Sequence, residues 1–398
     1  MMMNGAAAWL GRRILDRIDA GLAAGAIEAV LPDGTSRPVG GAGDGPVARI
    51  TLHRWRALTR LVTAGSIGWY RGWEDGDWSS PDPVPIFDLF MRNRATLGDV
   101  GRSGGPRRWI ARLRHWKRRN HPSQARANIE AHYDLGNDFY DEWLDPTMSY
   151  SSAIFAEPGE PLEAAQRRKV DALLDRLDLT DGDRLLEIGC GWGFLAEQAA
   201  RRGARVEALT LSQEQKRIAE ERLAAAGLTT RATVTIRDYR DASGTNDAIA
   251  SVEMVEAVGE AYWPAYLDAI ARCLKPGGRA AIQFISIDDA IFDAYAGNVD
   301  FIQRYIFPGG MLISEPRFRA LAEVRGLRWT DRHGFGADYA ETLRIWRERF
   351  DAADLEGRLP TRLDARFRRM WRFYLMYCEG GFRGGGIDVA QVTLVRQS

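Results

Sequence analysis

Short apolar runs alternate with helical patterns through the chain from about residue 123 to its end. Each run is short enough to form a buried strand, and the segments between the runs carry the spacing of amphipathic helices. Strands and helices that alternate in this way build a parallel sheet with helices on both faces. The pattern therefore predicts an α/β fold with a doubly wound, Rossmann-like sheet. The five runs are RLLEIG (184–189), RVEALT (205–210), TVTIRD (233–238), DAIASV (247–252) and RAAIQFI (279–285).

The chain before residue 100 has a different pattern, which predicts a smaller α/β domain. The segment 26–40, AIEAVLPDGTSRPVG, places Asp33 and Gly34 between two β-type runs, as in a tight turn. Residues 47–53, VARITLH, alternate like another strand. Residues 65–85, GSIGWYRGWEDGDWSSPDPVP, are rich in Gly, Pro and Trp, so we expect no regular helix there.

A strongly basic segment, RSGGPRRWIARLRHWKRRN (102–120), separates these two regions and contains no acidic residue. Trp109, Leu113 and Trp116 fall on one face of a helix. A basic helix with large apolar anchors is typical of a membrane surface. The alternative is a linker helix whose tryptophans dock on the protein itself, and nucleic acid binding is a weaker third interpretation.

Composition narrows the class of protein. The chain has 398 residues, 45% of them hydrophobic, which suits two or three domains with sizeable cores. Lys+Arg and Asp+Glu both number 54, so no overall charge excess draws the chain to nucleic acid. Its three cysteines stand far apart, which predicts a reducing compartment and no metal site. We find neither a signal-like start nor an apolar run of roughly 18 residues, and we expect a cytoplasmic protein.

The segment LLEIGCGWGF (185–194) places Gly189, Gly191 and Gly193 directly after the first predicted strand. Ligands of doubly wound sheets bind at the carboxyl ends of the strands, and glycine there permits a tight turn and close approach of a ligand. The spacing is G-x-G-x-G, and it differs from the dinucleotide spacing G-x-G-x-x-G. With the preceding Glu-Ile it resembles motif I of class I S-adenosylmethionine (SAM) methyltransferases.

The second strand departs from the common pattern, in which an acidic residue at the strand end binds ribose hydroxyls. Here the strand ends in LTLSQEQ (209–215). Thr210, Ser212 and Gln215 are the polar side chains that would have to serve instead.

Longer motifs carry a more specific resemblance. The region from residue 123 resembles the cyclopropane-fatty-acid synthase family over essentially its whole length, and several motifs are too long and unusual for chance. The region before residue 100 resembles the amino-terminal domain of many such enzymes, a sterol-carrier-type lipid-binding fold, most clearly at GWEDGDW (72–78). The family motifs are NIEAHYDLGNDFYDEWLDPTMSYSSAIF (128–155), LLEIGCGWG (185–193), LTLSQEQ (209–215), DYRD (238–241), SVEMVEAVG (251–259), LKPGG (274–278), IQRYIFPGG (302–310), FGADYAETLRIWRERF (335–350) and RMWRFYLMYCEGGFR (369–383).

The resemblance implies a reaction. SAM offers an electrophilic methyl group, and the acceptor is the alkene of a fatty acyl chain. Attack by the alkene leaves a carbocation, which an apolar tunnel, aromatic faces and a carboxylate protect from water. A base then removes one proton to close a cyclopropane ring, and in the family this base is a bound bicarbonate ion.

The resemblance also assigns the site residues. Catalytic roles, including the bicarbonate ligands, fall on four positions, namely Ser152, Glu256, Gln283 and Tyr339. The cofactor contacts fall on Tyr150, Ser151, Gly189, Gly191, Gly193, Thr210, Leu211, Gln215, Asp238 and Tyr239.

Three positions depart from the ring-forming pattern. Ser152 stands where the family has cysteine, and Gln283 stands where it has histidine. Both side chains can still donate hydrogen bonds to an anion. Glu253 stands where ring-forming members have glycine, and we predict that it is a fifth catalytic residue, a new base. The alternative is a surface acid at a loop edge. These departures resemble a subgroup that places one methyl or methylene branch in the middle of the chain.

We therefore predict a SAM-dependent C-methyltransferase acting on unsaturated acyl chains of membrane phospholipid, with a branched product favoured over a cyclopropane. The alternatives are a non-enzymatic lipid- or SAM-binding protein and a nucleic-acid methyltransferase. We expect no nucleic acid partner, a peripheral location at the inner face of the membrane, a homodimer and a later reductase partner. The predicted parts are a sterol-carrier-like domain (1–100), a basic linker helix (101–122) and the catalytic domain (123–398).

Membrane binding through the basic segment makes a first testable prediction. Each Lys or Arg near an anionic bilayer contributes roughly 1 kcal/mol, and salt screens the attraction. Replacing Arg107, Arg108, Lys117 and Arg118 with Gln should weaken sedimentation with anionic vesicles at low salt and leave SAM binding unchanged. Equal sedimentation of both proteins with anionic and neutral vesicles would contradict membrane binding by this segment.

Overall fold

The structure, a computed structural model, describes residues 2–98 and 135–398. The basic segment 102–120 lies outside the described residues. Contacts divide the described chain into two compact units. The first unit contains residues 2–98, 290–308 and 361–387, and the second contains residues 135–289, 309–360 and 388–398.

The first unit contains a four-stranded sheet with the strand order β2-β1-β3-β4. Strands β1 and β2 pair antiparallel around Asp33 and Gly34, which confirms the predicted tight turn. Strand β3 runs parallel to β1 on its other side. The strands are β1 (Ala26–Val30), β2 (Ser36–Gly40), β3 (Val47–Leu52) and β4 (Trp78–Ser79). The helices of this part of the chain are α1 (Met2–Gly21), α2 (Arg56–Glu74) and α3 (Val84–Arg92).

Helix α2 corrects one expectation, because it continues through Gly65 to Glu74 although residues 65–85 were predicted to contain no regular helix. A non-helical Gly65 (φ 56°, ψ −141°) kinks the helix. Close packing requires a later glycine, since a Cβ at Gly72 would lie 2.9 Å from the indole ring of Trp78. The composition predicted irregular backbone. In the structure, Gly65 allows the helix to bend, and Gly72 allows it to pack closely against Trp78.

The second unit contains a seven-stranded sheet with the strand order β10-β11-β9-β8-β5-β6-β7. Strands β5 to β9 are parallel, and they correspond to the five apolar runs of the sequence. Strands β10 and β11 pair antiparallel. The strands are β5 (Arg184–Ile188), β6 (Arg205–Thr210), β7 (Ala232–Ile236), β8 (Asn246–Val252), β9 (Leu274–Ile287), β10 (Leu327–Gly334) and β11 (Ile387–Arg396).

The helices after residue 135 complete both units. They are α4 (Asn137–Tyr140), α5 (Leu162–Asp175), α6 (Phe194–Arg201), α7 (Gln213–Ala225), α8 (Trp263–Cys273), α9 (Asp289–Ala296), α10 (Phe301–Tyr305), α11 (Glu315–Glu323), α12 (Gly336–Leu355) and α13 (Ala365–Arg383). The first unit contains helices α10 and α13 and all of α9 except its first residue, Asp289. The other helices after residue 135 belong to the second unit.

The doubly wound arrangement predicted from the sequence is confirmed. Strand β5 lies between β6 and β8, so the strand order reverses beside it. Such a switch point leaves a crevice at the carboxyl ends of the strands, where ligands of this architecture bind. The central strands are apolar on both faces because helices cover both, and Leu185, Ile249 and Ile282 are fully buried.

The predicted sequence domains do not map one to one onto the two compact units. Residues 290–308 and 361–387 lie within the predicted catalytic domain (123–398), yet their contacts place them in the first unit. The three predicted parts, and the sterol-carrier likeness of the first of them, stay predictions.

Among the described residues, no helix is both long and apolar enough to cross a bilayer. The same residues contain no group of three or more His, Cys, Asp or Glu side chains that could hold a metal ion.

Asp77 connects β4 to helix α2 in the first unit. Its side chain is fully buried and pairs with Arg54, Arg56 and Arg60, at 3.2, 2.8 and 2.9 Å. Burial alone would raise the pKa of Asp77, but the hydrogen bonds from Arg56 and Arg54 outweigh it and lower the pKa. The ionised carboxylate therefore stabilises the folded state at neutral pH.

Asp77→Asn should lower the free energy of unfolding by about 2 kcal/mol at pH 7, because it removes the charge from these hydrogen bonds. A carboxyl with a lowered pKa contributes above its unfolded pKa, and its contribution disappears as the pH falls through the folded value. The urea midpoints of the two proteins should therefore converge in acid. Asp75→Asn is the matched control, because Asp75 pairs with Arg60 at 2.7 Å but is half exposed, and its loss should cost under about 1 kcal/mol. Equal midpoints for the wild type and Asp77→Asn at pH 7 would contradict the assignment.

Candidate active site

The three glycines after β5 all have positive φ, but their surroundings differ. Their φ angles are 85°, 52° and 82° at Gly189, Gly191 and Gly193. A Cβ at Gly189 would lie 2.9 Å from Cγ of Met254, and one at Gly193 would lie 2.7 Å from Cβ of Ala219 on α7. A Cβ at Gly191 would meet no atom within 4 Å. Gly189 and Gly193 therefore allow close packing of the chain, and Gly191 borders the open space that a ligand can enter.

The polar residues at the end of β6 are buried and bond to one another. The Thr210 hydroxyl donates to Oε1 of Gln215 at 2.8 Å and accepts from the backbone N–H of Ser212 at 3.1 Å. Ser212 caps helix α7 by accepting from the backbone N–H of Gln215 at 3.2 Å. Leu211 lies between them and is partly exposed. This bonding fixes the strand end beside the glycine turn.

Asp238 and Tyr239 follow β7, at the same end of the sheet. The Asp238 carboxylate accepts two hydrogen bonds from Arg240, at 2.8 and 2.5 Å, which with a backbone hydrogen bond outweigh burial and lower its pKa. The Tyr239 ring packs edge-on against Tyr266, and within the described chain its buried hydroxyl has no hydrogen-bond partner. Burial raises the pKa of Tyr239 to about 12.

Tyr150 and Ser151 lie before helix α5. Tyr150 packs against Trp346 of α12, with ring centroids 5.5 Å apart. The Ser151 hydroxyl accepts a hydrogen bond of 2.7 Å from Nζ of Lys169. Lys169 is fully buried, and burial lowers its pKa to about 8. A lysine inside the apolar face of a helix is the signal that could have identified this residue from the sequence.

Glu253 is the centre of the predicted catalytic set. It follows β8 with φ 49°, a left-handed conformation that favours glycine. Its Oε1 accepts from the backbone N–H of Ser152 at 2.9 Å and from Nε2 of Gln283 at 2.8 Å. Its Oε2 accepts from the Tyr339 hydroxyl at 2.7 Å. The interpretation as a surface acid is therefore wrong, because the carboxylate lies in a network of donors.

Three of the four predicted bicarbonate ligands thus donate to a carboxylate of the protein. The Ser152 contribution differs from expectation, because its backbone N–H is the donor and its hydroxyl bonds to the Ala153 carbonyl at 3.0 Å. Burial raises the pKa of Glu253, and the hydrogen bonds from Tyr339, Ser152 and Gln283 oppose that rise.

Glu256, the fourth predicted ligand, has a different environment. Its Oε1 accepts from the backbone N–H of Ile285, and its buried Oε2 has no hydrogen-bond partner in the described part of the chain. Burial, and then the charge of Glu253, raise the pKa of Glu256 to about 8. Two neighbouring carboxyl groups in unlike environments take different protonation states. The neutral form is therefore favoured at Glu256, whereas three hydrogen-bond donors at Glu253 favour its ionised form.

Aromatic rings form one wall of this region. Trp346 packs against Tyr339 at 6.2 Å and against Trp143 at 5.6 Å between ring centroids. Aromatic faces attract positive charge. The second unit therefore combines a carboxyl group that accepts three hydrogen bonds, a second carboxyl group with one unbonded oxygen among the described residues, and aromatic rings. Such a set can stabilise a positive charge and accept a proton.

Sequence reasoning missed Gln391, on β11, as well as Lys169. The Gln391 side chain is fully buried and donates to Oε1 of Gln283 at 3.1 Å. A glutamine within the apolar run of β11, VAQVTLV (389–395), was the available signal.

Comparison with known proteins supports these observations. The family model described as mycolic acid cyclopropane synthetase matches residues 120–392. Tuberculostearic acid methyltransferase UfaA1 of Mycobacterium tuberculosis is 40% identical over 394 residues, which span 93% of this chain and 88% of that protein. Cyclopropane-fatty-acyl-phospholipid synthase of Escherichia coli is 35% identical over 343 residues, which span 85% of each protein.

A solved structure agrees with the fold. Mycolic acid cyclopropane synthase CmaA1 in complex with SAH and CTAB matches with a TM-score of 0.64 and 30% identity, covering 68% of this chain and 98% of that one. The family resemblance predicted from the motifs is thereby confirmed. The family model covers well over half of the residues, and the chain belongs to the mycolic acid cyclopropane synthetase family.

Proposed function

We propose that this protein is a SAM-dependent C-methyltransferase that adds a one-carbon unit to the double bond of an unsaturated fatty acyl chain in membrane phospholipid. We propose further that its product carries a methyl or methylene branch in preference to a cyclopropane ring. The observation that carries the proposal is the Glu253 carboxylate, which holds the hydrogen-bond donors expected to bind bicarbonate. Two relatives whose names specify fatty acid chemistry support the substrate class.

The cofactor end of the site is proposed to lie over the glycine turn. SAM, when bound, supplies an electrophilic methyl group. Gly191 leaves open space beside the turn, and the related synthase CmaA1 has a structure with SAH. The remaining proposed contacts lie at the ends of β6 and β7 and before α5, and they are Tyr150, Ser151, Gly189, Gly193, Thr210, Leu211, Gln215, Asp238 and Tyr239.

Glu253 is proposed to act as the base. Transfer of the methyl group to one alkene carbon would break the carbon–sulfur bond of SAM, release S-adenosylhomocysteine and leave the neighbouring alkene carbon as a cation. The ionised carboxylate then accepts one C–H proton, and the electrons of that bond form a branched alkene. A saturated branch would require a separate reduction, which is the step assigned to the reductase partner.

Glu256 is proposed to stay protonated while Glu253 acts as the base. Its raised pKa of about 8 leaves it neutral at pH 7, so it does not compete with Glu253 for the proton. A neutral carboxyl group beside the base also avoids the repulsion of two buried charges. The base is then part of the chain, and bicarbonate is not required as a cofactor.

The membrane location is proposed from the sequence. Phospholipid acyl chains are reached at a bilayer, and residues 102–120 carry the basic and apolar residues that suit an anionic surface. The cytoplasmic side, a homodimer and the reductase partner belong to the same proposal.

The placement of SAM can be tested at Gly191. Gly191→Val puts a branched side chain into the open space and should weaken SAM binding at least about tenfold, a loss of about 1.4 kcal/mol, in a calorimetric titration. Gly227→Val is the matched control, because Gly227 also has positive φ (71°) and an open Cβ direction. Both variants carry similar backbone strain, but only the first should lose affinity. Unchanged affinity in Gly191→Val would contradict the placement.

The role of Glu253 can be tested by chemical rescue. Glu253→Gln should lower turnover roughly 100-fold or more, the scale of a lost general base, with SAM affinity little changed. Glu253→Gly removes the carboxylate and relaxes the backbone, because glycine adopts φ 49° without strain. The three donors then face an empty space, so added bicarbonate or formate should restore part of the turnover.

Wild-type turnover should not change when carbon dioxide is removed from the buffer. Gas chromatography of the fatty acid methyl esters identifies the product of each variant. Glu256→Gln is the control, because it removes a neighbouring carboxyl group that is not the proposed base. Added bicarbonate or formate should not restore the turnover of this variant. Wild-type activity that depends on bicarbonate would contradict the proposed base, and an unchanged product in unchanged amount from Glu253→Gln would make Glu253 a bystander.

A further inference from the structure

A directional chain of hydrogen bonds leads from the edge of the second unit to Glu253. Nε of Arg176, the residue after helix α5, donates to Oε1 of Gln391 on β11 at 3.2 Å. Nε2 of Gln391 donates to Oε1 of Gln283 on β9 at 3.1 Å. Nε2 of Gln283 donates to Oε1 of Glu253 at 2.8 Å. Both glutamine side chains are fully buried.

The residues at the two ends of this series of hydrogen bonds, Arg176 and Glu253, fix its direction. A guanidinium group only donates hydrogen bonds, and an ionised carboxylate only accepts them. Arg176 therefore requires the oxygen of the Gln391 amide, which leaves the Gln391 amide nitrogen for Gln283. The oxygen of Gln283 must then face Gln391, and its nitrogen must face Glu253. Turning either amide would bring two acceptors or two donors together.

Backbone carbonyls support the same orientation. The second N–H of Gln391 reaches the carbonyl of Lys169 at 3.0 Å, and that of Gln283 reaches the carbonyl of Ser152 at 3.3 Å. At the outer end, Arg176 also donates to the exposed carboxylate of Asp331 at 2.5 Å. Each amide is thus held at both its oxygen and its nitrogen.

We infer that Gln391, aligned by Arg176, is a positioning residue that turns the Gln283 amide so that its N–H faces the carboxylate of Glu253. The inference rests on the proposed function, because it assigns Glu253 the role of base. Gln391 acts through Gln283 and needs no contact with substrate or cofactor. Its effect is to hold one donor on the ionised form of the base.

Loss of this donor has a predictable sign. A hydrogen bond to the charged form of a carboxyl group favours that form, so its loss raises the pKa of Glu253. The variant then needs a higher pH to ionise the base, so the acid limb of its kcat–pH profile shifts to higher pH. The other groups that face Glu253 are Lys169, Glu256 and Tyr339, and they are unchanged by a substitution at position 391.

Two substitutions test the inference on the full chain with SAM and an unsaturated phospholipid. Gln391→Met keeps the length of the side chain and removes the amide. Gln391→Glu keeps shape and the bond to Arg176 but offers only acceptors, so Gln283 must turn its nitrogen away from Glu253. Both should lower kcat by roughly tenfold or more, the scale for residues that orient a functional group. KM and SAM affinity should stay unchanged, and the acid limb should rise by about one pH unit, equivalent to the loss of one such hydrogen bond.

Thr393→Val is the matched control on the same strand. Thr393 is two residues away on the same face, it is buried, and in the described chain its hydroxyl has no hydrogen-bond partner. This variant should keep the wild-type kcat and pH profile, and it reports the cost of changing a buried polar residue of β11.

A double-mutant cycle separates positioning from a general structural role. In a Gln283→Met background, Gln391→Met should cause no further loss of kcat, because the amide through which it acts is gone. Additive losses, or an unmoved acid limb in both single variants, would overturn the inference. A wild-type enzyme that transfers no methyl group to acyl chains would instead overturn the proposed function. An active wild type with undisturbed Gln391 variants would overturn only the positioning role.

Discussion

The organisation of the second unit depends on one partly buried acceptor, the carboxyl group of Glu253. Its donors come from three separate segments, namely the loop before α5, strand β9 and helix α12, through Ser152, Gln283 and Tyr339. A buried carboxylate without partners would be strongly destabilising, and a set of donors without an anion would be equally unsatisfied. Carboxylate and donors therefore require each other, and this requirement draws distant parts of the chain to the end of β8.

The doubly wound sheet explains why these groups meet where the cofactor is proposed to bind. Strands β5 and β8 are neighbours, so the glycine turn after the first and Glu253 after the second lie at the same edge. The antiparallel strand β11 is a neighbour of β9, and this adjacency brings Gln391 within reach of Gln283. The proposed base and the proposed methyl donor are thus placed by strand order, which is a property of the fold.

Much of the sheet could be predicted from the sequence, because its five parallel strands are short apolar runs separated by helical patterns. Both features are visible in the local sequence. The kinked helix α2 could not, since Gly65 and Gly72 serve packing that only the tertiary structure reveals. At the site, the family motifs led to Glu253, Glu256, Gln283 and Tyr339. They could not reveal that Ser152 donates through its backbone, or that Gln391 lies behind Gln283, because both follow from contacts between residues far apart in sequence.

The left-handed backbone at Glu253 also bears on timing. A base taken from solution must occupy its place at the moment when the cation forms, and its occupancy depends on concentration. A base built into the chain is present at every turnover, and its effective concentration is set by geometry. The conformation at φ 49° is disfavoured for a residue with a side chain, by roughly 1 to 2 kcal/mol. That cost arises once, when the chain folds, whereas the search for a diffusing anion would recur in each catalytic cycle.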